Sequence, residues 1–140
     1  MADQLPTERE LELLKVLWGR GEATVRDVCA EMNEAGASLA YTTVLTLLQI
    51  MEEKGLVTHR QVGRAYVYAA TRERDRTFRQ LARGFLGRVF DGSLEEYVRG
   101  VLDAQPISVA QLDRLAEMVD AKRREAQRQD TEPPQHPRGG

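Results

Sequence analysis

Apolar residues recur with a helical period along three stretches of the first 55 residues, then with a strand-like composition in the next 15. Thr7 and Glu10 have the spacing of a capping box, and Leu11, Leu14, Leu17 and Trp18 follow at helical spacing until Gly19 and Gly21. Thr24 with Asp27 predicts a second helix start. Val25, Val28, Cys29 and Met32 line its inner face, and Asn33 to Gly36 stop it. In a third helix, reaching about Lys54, Val44, Leu47, Leu48 and Met51 fall at i, i+3, i+4 and i+7 and form one buried stripe. Gly55 is a fitting residue just past its end. Leu56 to Val62 and Ala65 to Ala70 are rich in Val and Tyr, as strands are, and Gly63 with Arg64 makes the tip of a two-stranded hairpin.

After Thr71 the helical period returns. Phe78, Leu81, Ala82, Phe85, Leu86 and Val89, with Phe90, form a wide apolar stripe that breaks at Asp91 to Ser93. Ser93 and Glu96 have capping-box spacing, and Leu94, Tyr97, Val98, Val101 and Leu102 form a second stripe. Pro106 interrupts. Ser108 with Gln111 then starts a helix carrying Val109, Leu112, Leu115 and Val119. Three short amphipathic helices in roughly 50 residues cannot build a stable core alone. They must pack on the first domain or on a second copy of themselves, and dimerisation is the simpler reading. The expected seam is Phe78, Leu81, Phe85, Leu86, Val89, Phe90, Leu94, Tyr97, Val98, Val101, Leu102, Leu112, Leu115 and Val119. From Gln127 the chain is polar with three prolines, the composition of a disordered tail. The expected architecture is therefore mainly α with a small β-hairpin: a winged helix-turn-helix domain over 1–73, a helical dimerisation domain over 74–126, and a tail over 127–140.

The third helix has an unusual surface. No charged residue occurs from Ala37 to Met51, in a chain where 30% of residues are charged. Its face away from the buried stripe carries Thr42, Thr46 and Gln49. Hydroxyls and amides suit the floor of a DNA major groove, where threonine methyls touch thymine and glutamine pairs with adenine. A neutral solvated face is the competing account of the same residues. Helix followed by basic-tipped hairpin is the order of winged-helix DNA readers. Arg64 beside Gly63 can reach a phosphate or a minor groove, and Arg60 and His59 lie on the same hairpin. Tyr41 suits a phosphate hydrogen bond or the core, Arg26 a phosphate or solvent, and Tyr66 and Tyr68 suit packing.

Charge argues the other way. The chain carries 20 basic and 22 acidic residues, for a net charge of −2, and acids outnumber bases up to Thr71 as well. A basic footprint is the usual mark of a nucleic-acid reader. The distribution keeps the idea open, because the acids cluster on helix one, late in helix two and at the end of helix three. Modest affinity per subunit and a need for dimerisation follow.

Taken together, LPTERELELLKVLW, YTTVLTLLQIMEEKGLV, GRAYVY and FLGRVFDGS, in this order and spacing, make the chain up to about Arg124 similar to the penicillinase-repressor family, the BlaI/MecI/CopY group of bacterial repressors. The resemblance implies a homodimeric winged-helix repressor of a short dyad-symmetric operator, with C-terminal helices interlocking between subunits. It implies that Thr42, Thr43 and Thr46 face DNA and that Arg64 sits at the wing tip. It also implies a membrane-bound sensor protease or antirepressor as partner. The sequence departs from the family in three places. LLQIM in helix three lacks the Arg or Lys of many relatives. Gly100–Val101 stands where well-studied members have a cleaved Asn-Phe pair. The tail has no cysteine, unlike the copper-sensing branch.

Enzyme chemistry finds little footing. His59 and His136 have no neighbouring partner in sequence, and no Walker loop, GxSxG or HExxH motif occurs. The single cysteine, Cys29, lies on a buried stripe, so no metal site and no cofactor is expected. No apolar run approaches the ~20 residues of a membrane span, and the N-terminus lacks signal-peptide features, so a cytoplasmic location is expected. The sequence reading is a cytoplasmic, homodimeric repressor that binds double-stranded DNA and occludes a promoter operator until released. The contact set is Arg26, Tyr41, Thr42, Thr43, Thr46, Gln49, Arg60 and Arg64. A ligand-sensing winged-helix regulator and a protein–protein adaptor without DNA binding are the alternatives.

Overall fold

A computed structural model describes residues 5–131. The chain divides into two compact units, Met1–Gly92 and Ser93–Gly140. The first contains α1 (Glu8–Arg20), β1 (Ala23–Thr24), α2 (Val25–Glu34), α3 (Tyr41–Glu53), β2 (Val57–Val62), β3 (Ala65–Ala70) and α4 (Arg74–Phe90). The second contains α5 (Leu94–Ala104) and α6 (Val109–Thr131).

The capping box expected at Thr7 and Glu10 forms, and the helix start expected at Thr24 and Asp27 is also a reciprocal box. At Ser93 only half of the expected box forms, with its hydroxyl accepting from the Glu96 amide. Thr7 Oγ1 accepts from the Glu10 amide at 3.2 Å while Glu10 Oε1 accepts from the Thr7 amide at 2.9 Å. At α2, Thr24 Oγ1 accepts from the Asp27 amide at 3.0 Å and Asp27 Oδ2 accepts from the Thr24 amide at 3.3 Å. The bond from that amide holds the Asp27 carboxyl below its usual range. The three helices then bury one shared core. Leu13, Leu14 and Leu17 from α1 meet Val28 and Met32 from α2, Val44, Leu48 and Met51 from α3, and Val57 and Tyr68 from the sheet.

The hairpin is part of a three-stranded antiparallel sheet of order β1-β3-β2. The two-residue strand β1 was not expected. It exists because Ala23 and Thr24 pair with Tyr68 and Val67, a partnership that leaves no periodic trace in sequence. On the other side β2 pairs β3 from Val57↔Ala70 to Val62↔Ala65. Gly63, at φ 62°, supplies the positive angle that the tight turn between them needs.

Two stretches stand apart from the sequence boundaries. α4, which the sequence reading placed in the helical domain from residue 74, falls in the first compact unit. Trp18 Nε1 donates to the Arg72 carbonyl at 2.9 Å, and its ring meets Phe78 edge-on at 5.8 Å. Leu5 closes against Gly84, where a Cβ would stand 2.9 Å from Leu5 Cδ1. At the other end, α6 continues to Thr131, so 127–131, expected in the tail, are helical. The run AKRREAQRQ consists of good helix formers, which explains the extension. The rest of the expected tail lies outside the described residues.

Candidate nucleic-acid interface

α3 owes its surface to a one-sided sequence. Val44, Leu48 and Met51 are buried and Leu47 is half-buried, while Tyr41, Thr42, Thr43, Thr46 and Gln49 are exposed. The start of α3 is set from α2. Asn33 Oδ1 accepts from the Leu39 amide at 2.7 Å and Asn33 Nδ2 donates to the Leu39 carbonyl at 2.9 Å, which pins the connecting turn. Cys29 Sγ lies 3.5 Å from the same carbonyl, half-buried as a packing residue. Ala40 caps α3 with no side-chain hydrogen bond, so the first amides of α3 lack a side-chain acceptor from the N-cap.

Three of the expected cations and hydrogen-bonding groups converge. Arg26 at the start of α2, Tyr41 at the start of α3 and Arg64 at the hairpin tip line one open cleft of about 460 Å³, with Tyr66 on its wall. Among the described residues neither Arg26 nor Arg64 makes an ion pair, so both guanidinium groups are available to an external anion. Gln49 lies apart from them, on a second groove with Glu52, Glu53, His59, Tyr66 and Tyr68. Tyr68 is 2% exposed, and burial, with Glu52 nearby, raises its phenol above the usual value.

Arg60 and His59 do not join the cleft. Arg60 Nη2 donates to Glu22 Oε1 at 2.6 Å, a bond that raises the guanidinium pKa further. His59 Nδ1 lies 2.6 Å from Glu52 Oε1. Glu22 escaped the sequence reading, which took Glu52 only as one of the clustered acids and Asn33 only as part of a helix stop. The signal for the pinning role of Asn33 is an amide side chain at a helix end before a short turn.

The sequence features meet an independent comparison here. The family model for penicillinase repressors matches residues 6–121. The chain belongs to the penicillinase repressor family. It is 24% identical over 114 residues to the penicillinase repressor of Bacillus licheniformis, covering 81% of this chain and 88% of that one. It is 43% identical over 67 residues to the transcriptional regulator BlaI of Mycobacterium tuberculosis, covering 47% of this chain and 48% of that one. The crystal structure of a "possible transcriptional regulator for arsenical resistance" superposes with a TM-score of 0.55 at 27% identity, covering 76% of this chain and all of that one.

This member of the penicillinase repressor family leaves much apolar surface uncovered within one chain. α5 and α6 contain no buried residue. Leu94, Val98, Val101, Leu102, Leu112, Leu115 and Val119 are exposed, and Tyr97 is half-buried. On α4, Phe85 and Val89 are exposed, Leu81, Leu86 and Phe90 are half-buried, and Phe78 is engaged by Trp18. Among the described residues no group of three or more His, Cys, Asp or Glu could hold a metal ion, and no helix is long and apolar enough to cross a membrane.

Proposed function

We propose that this chain is a homodimeric transcriptional repressor that reads double-stranded DNA with α3 and grips the neighbouring backbone with the wing. The observation that carries the reading is the neutral polar face of α3 beside a cleft with two guanidinium groups that no described residue pairs. Thr42, Thr43, Thr46 and Gln49 carry base and groove contacts, which specify sequence. Arg26, Tyr41 and Arg64 carry phosphate contacts, which fix register. The names of the relatives, a penicillinase repressor and a transcriptional regulator, support the same class.

The exposed apolar stripes of α5 and α6 support dimerisation, since monomers rarely leave contiguous apolar faces of this extent in water. Two copies place two α3 helices on half-sites about one helical turn apart, which matches a dyad-symmetric operator. Repression follows from occlusion of the promoter, in the cytoplasm, until an inducing signal releases the dimer. A sensor protease or antirepressor acting on the C-terminal unit is the partner that the family resemblance favours.

The test is selection of genomic fragments by purified protein, followed by titration at ~150 mM salt, where backbone contacts are already weakened. Tight, sequence-dependent binding that is lost in Thr42→Ala/Thr46→Ala/Arg64→Ala, with the dimer retained, supports the reading. No fragment enriched over a scrambled control overturns it and leaves the adaptor.

A further inference from the structure

β2 poses a mechanical problem. After Val57 all five of its residues are exposed, so the outer hairpin buries no core to hold its direction. Two-stranded ribbons without such support are marginal in water. Yet Arg64 at the tip contributes to DNA reading only if the hairpin is held in place relative to α3.

Two neighbouring side chains supply the missing support. Along β2, successive side chains leave opposite faces of the sheet. His59 pairs in register with Tyr68 and Ala23, on the face that packs on the helices. Its Nδ1 meets Glu52 in the last turn of α3 at 2.6 Å, and its ring lies 5.1 Å from that of Tyr66 and 5.3 Å from that of Tyr68. Arg60 pairs in register with Val67 and Thr24, on the other face. Its guanidinium crosses β3 to Glu22, immediately before β1, with bonds of 2.6 and 3.4 Å. One residue ties the hairpin to the reading helix, and the next ties it to the far edge of the sheet.

We propose that His59 and Arg60 are positioning residues that brace the wing from both faces, and that neither contacts DNA. The proposal deepens the DNA-reading assignment and rests on it for its consequence, though not for the brace itself. For Arg60 to turn to a phosphate it must give up Glu22, leaving that carboxylate to face the DNA backbone. The exchange gains no net neutralisation, which is why Arg60, unlike Arg64 at the tip, is a poor phosphate ligand.

Two readouts on the full chain test this: amide hydrogen exchange of β2 and β3 without DNA, and affinity for a selected operator fragment. Arg60→Glu and Glu22→Arg each speed hairpin exchange about fivefold, the scale of one exposed ion pair, and weaken operator binding. The charge-swapped Glu22→Arg/Arg60→Glu protein returns both readouts to within about twofold of wild type. His59→Ala and Glu52→Ala also speed exchange, whereas Glu52→Gln, which keeps an oxygen acceptor for the imidazole N–H, stays near wild type. A swapped protein with restored exchange but binding as weak as Arg60→Glu alone overturns the proposal, because Arg60 then contacts DNA. Unchanged exchange in the single variants overturns it too. If the wild type prefers no DNA sequence, the DNA-reading assignment fails, and the exchange measurements still decide the brace.

Discussion

Replacing Lys54 with Met strands a buried charge. The Glu10 side chain is 3% exposed, and its carboxylate accepts from Lys54 Nζ at 2.8 and 3.0 Å and from the Thr7 amide at 2.9 Å. Met keeps the apolar stem and removes the ammonium, so one amide remains as donor to a desolvated carboxylate. Removing one partner of a buried pair costs ~3–5 kcal/mol. The Lys54 side chain is 22% exposed, so water can enter where the ammonium stood, which places the loss at the lower end, about 3 kcal/mol. For a unit of this size each kcal/mol moves the midpoint by ~4–8 °C, so a drop of about 12–24 °C is expected. Trp18 is the only tryptophan and packs within the same unit, so its fluorescence during thermal and urea unfolding is the assay. The double variant Glu10→Gln/Lys54→Met, which removes both charges and keeps an acceptor for Thr7, recovers to within about 1 kcal/mol of wild type. A single variant that loses under ~0.5 kcal/mol, or a double variant no better than the single, refutes the reasoning.

Three further outcomes are expected. The Asp27 carboxyl titrates below its usual value when folded, so its contribution is complete above pH ~4 and disappears as pH falls through the folded value. Asp27→Asn therefore flattens the acid limb of the urea-midpoint profile below pH 4, and an unchanged limb counts against the cap. Arg64→Ala lowers the slope of log affinity against log salt by about one unit, while Thr46→Val leaves the slope and relaxes base preference; filter binding across a salt series distinguishes them. Val98→Asp/Leu102→Asp, on the exposed face of α5, yields a folded monomer by sedimentation velocity, and a variant that still sediments as a dimer removes α5 from the seam.

What was legible in the sequence was local. Thr7 with Glu10 and Thr24 with Asp27 announce their helices because each box closes within three residues. The buried stripe of α3 is equally local, and Val44, Leu48 and Met51 are indeed wholly buried. What was not legible depends on partners far along the chain. β1 is a strand only because β3 lies beside it. α4 joins the first unit through Trp18, 60 residues before Phe78. Arg60 reads as a DNA-facing cation, and its bond to Glu22, 38 residues earlier, leaves no trace in sequence.

The same long-range pairing resolves the charge paradox of an acidic domain that is proposed to read DNA. Counting acids assumes that each one projects field into solvent. Here Glu10 is committed to Lys54, Glu12 to Arg9, Glu31 to Arg20, Glu22 to Arg60, Glu52 to His59, and Asp27 to a helix cap. These pairs are short-ranged dipoles whose field decays within a Debye length of ~8–10 Å. They cancel bases as well as acids, and Arg26 and Arg64, in the cleft at the start of α3, are not among the bases cancelled by the described acids. A weakly negative total is therefore compatible with a locally positive reading edge. The same pairing limits how many phosphates one subunit can neutralise, so tight binding at ~150 mM salt favours the proposed dimer over a single subunit.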